Sequence, residues 1–190
     1  RVKSEWLLKL PEKFTEEQAM IIGSAGYTSM LCVMSIIEDI SPSKGEVLVT
    51  GASGGVGSIA VMILSKLGCN VTAVTGKESN SEYLKSIGAK TITKTSELDI
   101  EARPLDKGLW DGAVDTVGGN VLSKVLSHIK QNGIVAAVGN ASGIKLNTTV
   151  MPFIIRGVKL WGIDSVHTSS KRRQFLWDEA SKLIDFDLLE

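Results

Sequence analysis

Val47-Leu-Val-Thr-Gly-Ala-Ser-Gly-Gly-Val-Gly57 decides the fold of this chain. Val47 to Val49 is an apolar, β-branched run, as expected of a strand buried on both faces. Gly51, Gly54, Gly55 and Gly57 follow at once. Val56, Ile59, Ala60, Ile63, Leu64 and Leu67 then recur at helical spacing, so a helix starts inside the glycine cluster. A strand that turns sharply into a helix aims unpaired N–H groups at one spot, and the helix dipole adds positive potential there. Such a spot takes a phosphate, and glycines let the ligand approach the backbone. The pyrophosphate of a dinucleotide is the expected ligand.

A glycine cluster can also be an ordinary surface turn. Context separates the two readings, because a strand precedes the cluster, an amphipathic helix follows, and a second strand-like run, Val71 to Val74, comes next. The nucleoside-triphosphate loop is excluded: Gly57 is followed by Ser58 and Ile59, so no Gly-Lys-Ser/Thr closes the turn.

Working outward, the spacing predicts alternating elements. Strands are expected at Val47–Thr50, Asn70–Thr75, Thr91–Thr93, Gly112–Asp115, Gly133–Gly139 and Lys159–Asp164. Helices are expected from Gly55 to about Leu67, at Ser81–Ile87, at Asn120–Ile129, and from about Ser169 to Leu183. Gly68 and Gly88 stand where helices end. Ser41-Pro-Ser-Lys-Gly45 and the polar stretch Glu97–Lys107 read as loops. Thr15-Glu-Glu-Gln18 is a capping box opening an earlier helix, with a break expected near Gly23 to Gly26. Strands alternating with helices predict an α/β fold, a doubly wound parallel sheet of the Rossmann type with about six strands and helices on both faces.

Composition limits the function. The 190 residues suffice for a real core, 43% are hydrophobic, and 21 basic residues balance 21 acidic ones. That balance argues against a nucleic-acid partner. Cys32 and Cys69 have neither disulfide-framework nor metal-site spacing, so no metal is expected; as core thiols they fit a reducing cytoplasm. Ala19 to Ile37 lacks charge and approaches the length of a membrane span, but its Ser, Thr and Gly content and acidic flanks favour a buried helix, and no membrane partner is expected. The start, Arg1-Val-Lys-Ser-Glu5, has no initiator Met or signal pattern, as expected of an internal fragment of a longer protein.

The residues after the second strand choose the nicotinamide cofactor. An acid about 20 residues beyond the glycines would bind the ribose hydroxyls and select NAD. Thr75, Gly76 and Lys77 stand there instead. A hydroxyl, a free N–H and an ammonium suit a 2′-phosphate, so the expectation is NADPH, with the adjacent Glu78 working against it.

At several separated places the chain resembles zinc-independent medium-chain dehydrogenases/reductases. The motifs are Gly51-Ala-Ser-Gly-Gly-Val-Gly57, Ile22-Gly-Ser-Ala-Gly-Tyr-Thr28, Asp115-Thr-Val-Gly-Gly119, Thr149-Val-Met-Pro-Phe-Ile154, Gly162-Ile-Asp-Ser-Val166 and Lys171-Arg-Arg173. Within that family it is most similar to the quinone-oxidoreductase-like branch that includes bacterial acrylyl-CoA reductase. The resemblance implies NADPH-dependent reduction of an activated C=C bond, in an enoyl-CoA such as acrylyl-CoA or in a quinone. By position it places Ser53, Gly54, Gly55 and Val56 on the pyrophosphate. Thr75, Gly76 and Lys77 fall on the 2′-phosphate, with Lys94 nearby where the branch tends to carry Arg. Asn140, Ile154 and Ser165 lie along the nicotinamide half. It also implies a homodimer through the last strand's edge, where Trp161 is an interface or core candidate.

These readings divide the chain into the tail of a catalytic domain (1–15), an NADP-binding domain (16–184) and the return to the catalytic domain (185–190). No catalytic residue is identified. Tyr27 is an internal proton-donor candidate on a packed helix. His128 reads as packing or surface. His167 lies nearer the cofactor edge, and Asp115 either faces the cofactor or satisfies backbone N–H groups. The rival expectation is a nucleotide-binding regulatory or interaction module without turnover.

Overall fold

The computed structural model describes residues 1–40 and 45–189. Most of the loop expected at 41–45, namely 41–44, lies outside the described residues.

In chain order the elements are α1 (Glu16–Ile37), β1 (Glu46–Val49), α2 (Gly55–Lys66), β2 (Asn70–Thr75), α3 (Ser81–Ser86), β3 (Thr91–Lys94), α4 (Thr95–Leu98), β4 (Trp110–Asp115), α5 (Gly119–His128), β5 (Ile129–Ala137), α6 (Met151–Arg156), β6 (Lys159–Gly162) and α7 (Ser170–Leu183). The strands form one parallel sheet in the order β3-β2-β1-β4-β5-β6. That is the doubly wound Rossmann order, whose direction reverses between β1 and β4. Alternation along β1 shows the double winding. Val47 and Val49 join a core with α1, α2 and α7, whereas Leu48 joins the core beneath α5 on the other face.

The Thr15 capping box forms as its sequence requires: the hydroxyl accepts from Gln18 N–H at 3.1 Å, and Gln18 Oε1 accepts from Thr15 N–H at 3.0 Å. The expected break in α1 falls at Gly23 (φ 49°, ψ −147°). This helix is long and apolar enough to cross a membrane, yet its residues from Gly26 to Val33 are buried and it packs on α2, α7 and β5.

Two expectations are corrected, and one element is added. The polar segment expected as a loop from Glu97 begins inside the single turn of α4, with Leu98 buried. β5 starts at Ile129 rather than Gly133. The register slips between Trp110 and Gly112, and Asn132 takes a left-handed φ of 59°, so Lys130 to Gly133, which looks like a turn, is a bulge inside the strand. α6 was not anticipated as an element. Its signals are local, however: Pro152 in the first turn and Gly157 at the C-cap with φ 61°.

Candidate functional site

The glycine turn closes the carboxyl end of β1 at the point where strand order reverses. Thr50 N–H donates to Val114 O and Ala52 N–H to Val74 O, both at 2.9 Å, so the chain is gripped by both neighbouring strands as it turns. Gly51 has φ 57°, and a Cβ there would lie 2.2 Å from Thr116 Oγ1. At Gly57 a Cβ would lie 2.3 Å from Gly51 O and 2.7 Å from Ala52 Cα, which sets how closely α2 packs on the turn. Gly54 is the N-cap of α2 and offers no side chain to the helix end. The first bond of this helix runs from Ser58 N–H to Gly54 O, so the N–H groups of Gly55, Val56 and Gly57 precede it. Ser53, Gly54 and Gly55 are exposed. This is an anion cradle made of backbone.

Beside it, Asp115 ties β4 to β1. Its Oδ1 accepts from Thr50 Oγ1 at 2.7 Å, and its Oδ2 from Gly118 N–H at 2.8 Å. Thr50 Oγ1 also accepts from Thr116 N–H, while Thr116 Oγ1 donates to Thr50 O, both at 2.9 Å. Burial pushes the Asp115 carboxyl above its ordinary value, against the lowering pull of Thr50 and Gly118. Asp115 therefore serves backbone N–H groups, one of the two roles its position allowed. Its partners Thr50 and Thr116 carried no sequence signal beyond adjacency.

Beyond β2 the expected 2′-phosphate residues converge. Thr75 Oγ1 lies 3.3 Å from Ser53 Oγ and accepts from Lys77 N–H at 3.2 Å. Thr75 pairs with Lys94 in the β2–β3 register, which brings Lys94 to the same corner. Lys94 Nζ reaches Glu78 Oε2 at 3.3 Å, with both side chains largely exposed.

Past β5 and β6 an open depression of about 520 Å³ is lined by Ala137, Val138, Gly139, Asn140, Gly162, Ile163 and Asp164. Asn140 is in this lining, and Ser165 follows it directly. Ile154 is not in the lining: it is 69% exposed on α6, whose Arg156 donates to Ser127 O and Ile129 O at the start of β5.

Tyr27 is buried, and its hydroxyl has no partner among the described residues. His167 Nδ1 lies 2.7 Å from Asp164 Oδ2, and this bond holds the Asp164 carboxyl down at about 2. His128 belongs to a polar knot at the amino ends of β4 and β5. There Asp106 Oδ2 accepts from Lys124 Nζ at 2.7 Å and from Ser127 Oγ at 3.0 Å, His128 Nε2 lies 3.8 Å away, and Arg156 donates to Asp106 O. Trp161 is 57% exposed on the outer strand β6.

Sheet order, reversal point and backbone cradle together define a dinucleotide-binding α/β domain. The chain matches the zinc-binding dehydrogenase family model over residues 55–182, and it belongs to that family. It is 54% identical over 179 residues to a probable acrylyl-CoA reductase AcuI of Escherichia coli, covering 93% of this chain and 55% of that protein. It is 46% identical to the acrylyl-CoA reductase AcuI of Ruegeria pomeroyi, over all of this chain and 58% of that one. The crystal structure of the Salmonella enterica yhdH oxidoreductase in complex with NADP superposes with a TM-score of 0.96 at 53% identity, covering 99% of this chain and 58% of that chain. Bacillus subtilis yhfP with NAD bound gives 0.94 at 42%, covering 99% and 58%. The chain thus spans little more than half the length of the relatives it matches.

Despite the family's description, the described residues offer no zinc site. No group of three or more His, Cys, Asp or Glu side chains comes together among them. Cys32 is buried, and that burial pushes its thiol up to about 12.

Proposed function

We propose that residues 16–184 bind NADPH and form the hydride-donor half of an oxidoreductase that reduces an activated C=C bond. The observation that carries this reading is the uncapped start of α2 at the reversal point, facing a corner where Thr75, Lys77 and Lys94 meet and no carboxylate occupies positions 75–77. Ser53, Gly54, Gly55 and Val56 hold the pyrophosphate, through the N–H groups of Gly55 and Val56 and the Ser53 hydroxyl, while Gly54, whose N–H is bonded to Gly51 O at 2.9 Å, leaves the helix end open. Thr75, Gly76 and Lys77 receive the 2′-phosphate, and Lys94 adds charge. As ammonium groups, Lys77 and Lys94 attract the phosphate without the bidentate fork of arginine. Asn140 and Ser165 border the nicotinamide half; Ile154 joins them on the strength of the resemblance alone.

When bound, the dinucleotide supplies the hydride. The chain's own residues would orient it, the glycine turn holding the phosphates and the residues bordering the β5–β6 depression meeting its reactive half. Relatives named as acrylyl-CoA reductases support an enoyl thioester as substrate, and the relative named as a putative quinone oxidoreductase makes a quinone the alternative. Substrate-side groups and the proton donor belong to a catalytic domain outside residues 16–184, to which 1–15 and 185–190 are assigned. The exposed Trp161 on the unpaired edge of β6 supports a homodimer through that strand, and the unpaired buried thiols support a cytoplasmic setting.

Titration of the chain with NADPH and NADH tests the cofactor. NADPH is expected to bind about tenfold tighter, as one charge-assisted contact would give. Equal or tighter NADH binding overturns the 2′-phosphate reading. Assays of the full-length protein with acrylyl-CoA and with a quinone separate an enzyme from a regulatory nucleotide-binding module. NADPH binding without turnover on either substrate favours the module.

A further inference from the structure

The motif Lys171-Arg-Arg173 has no part in the site described so far. The structure gives its two arginines different work. Arg172 pairs with Glu38 at 3.2 Å on the surface. Arg173 makes no ion pair among the described residues. One guanidinium nitrogen donates to Ser165 O at 3.1 Å and to Val166 O at 3.2 Å, and its carbon lies 4.6 Å from the centroid of the Tyr27 ring. The segment it holds follows the lining of the β5–β6 depression. From within, the same segment is pinned by Asp164, which accepts from Val166 N–H and His167 N–H.

Tyr27 connects this clamp to the other half of the crevice. Two residues further along α1, Ser29 Oγ donates to Val56 O at 2.7 Å, in the first turn of the phosphate-binding helix. One helical turn of α1 therefore touches both the phosphate cradle and the arginine that secures the Ser165 loop. Tyr27 through Val33 are all buried, so this strut has little freedom to shift. A guanidinium suits the task because its planar fork donates in fixed directions while it lies over an aromatic ring, a geometry that a compact ammonium holds less firmly.

We propose that Arg173 is a positioning residue that, braced on the Tyr27 ring, holds the 163–168 loop against the nicotinamide half of the crevice at a fixed distance from the phosphate turn. This rests on the NADPH reading above and extends it to a residue that need not touch the cofactor.

The test compares two ligands on the 190-residue chain. NADPH spans both halves of the crevice, whereas 2′,5′-ADP fills the adenosine end alone. Arg173→Met keeps the stem but removes the donors. It is expected to weaken NADPH about tenfold, the worth of one or two hydrogen bonds to a charged donor, with 2′,5′-ADP affinity within about twofold of the parent. Tyr27→Leu is expected to give a smaller change in the same ratio. A merely structural role would lower the melting temperature and weaken both ligands equally. An unchanged ratio of the two dissociation constants, or equal weakening of both, overturns the proposal. If Arg173→Met does not fold, Arg173→Lys is measured by the same ratio; a drop of about threefold supports the proposal and none overturns it. If neither ligand binds the parent chain, the NADPH reading fails instead.

Discussion

The two halves of the crevice are built from different materials. On the β1–β2 side the glycine turn presents backbone N–H donors at the start of α2, and Gly51 and Gly57 have no space for a side chain. On the β5–β6 side the corresponding wall is an open depression bordered by a loop, held by Asp164 and Arg173 side chains. On the reading proposed above, the first half suits a pyrophosphate, which needs fixed donors in a fixed cup.

The largest effect expected from this contrast comes from adding one methyl group to each half. Gly57→Ala sets a Cβ 2.3 Å from a backbone oxygen, so α2 must move off the turn. Overpacking of this kind costs about 3 kcal/mol, or about 6–12 °C in melting temperature for a chain of this size. Nucleotide binding should be lost with it. Gly162→Ala adds its Cβ where nothing lies within 4 Å, and its stability change should stay within about 0.5 kcal/mol. Thermal melts of both variants check the pair; equal shifts would mean that the two halves are equally tight.

The same contrast explains what was legible in the sequence. The turn is a local object, since strand, glycines and amphipathic helix sit within about twenty residues and each restricts its own backbone. The alternation of elements points to the doubly wound class, while the order β3-β2-β1-β4-β5-β6 is a property of the pairing. β5 was started too late because Lys130 to Gly133 has turn composition; only its pairing with β4 makes it a bulge. α6 carried local signals that pattern reading passed over, Pro152 and Gly157. The partners of Arg173 and of Asp106 could not be read at all. Arg173 meets Tyr27 from a distant helix, and the carbonyls it binds carry no residue-specific signature. The nicotinamide side depends on such contacts, so its residues entered through resemblance rather than through physics.

The next effect is on affinity. Lys77→Ala removes an ammonium from the 2′-phosphate corner and should weaken NADPH about tenfold while changing NADH less than about twofold. Calorimetry with both nucleotides reads this directly. Parallel losses would place Lys77 outside the 2′-phosphate site.

Acid should distinguish the halves by sign. The Asp164 carboxyl is held at about 2, below its ordinary 3.8, first of all by His167. A depressed value contributes stability that is present above 3.8 and lost as pH falls toward 2. The buried Asp115 carboxyl is raised above 3.8, so its contribution is full below that value and declines as pH rises through the raised one. Amide exchange between pH 5 and pH 2 should therefore show residues 164–168 losing protection as pH falls while the 115–118 turn keeps its own. Simultaneous loss at both places would contradict these assignments.

The smallest effect concerns Glu78. Its carboxylate sits 3.3 Å from Lys94 Nζ at the corner assigned to the 2′-phosphate, so an incoming phosphate must compete with it for that ammonium. Both side chains are largely exposed, which keeps the pair weak. Glu78→Gln removes the competitor and a like charge at once. NADPH should tighten only about two- to threefold, in line with an exposed pair, and the gain should shrink as salt is raised. NADH, which lacks the phosphate, should be indifferent to the change. A gain shared by both nucleotides would move Glu78 away from the phosphate and onto the ribose itself. The selectivity assigned to the adenosine half would then rest on Thr75, Gly76 and Lys77 without Lys94.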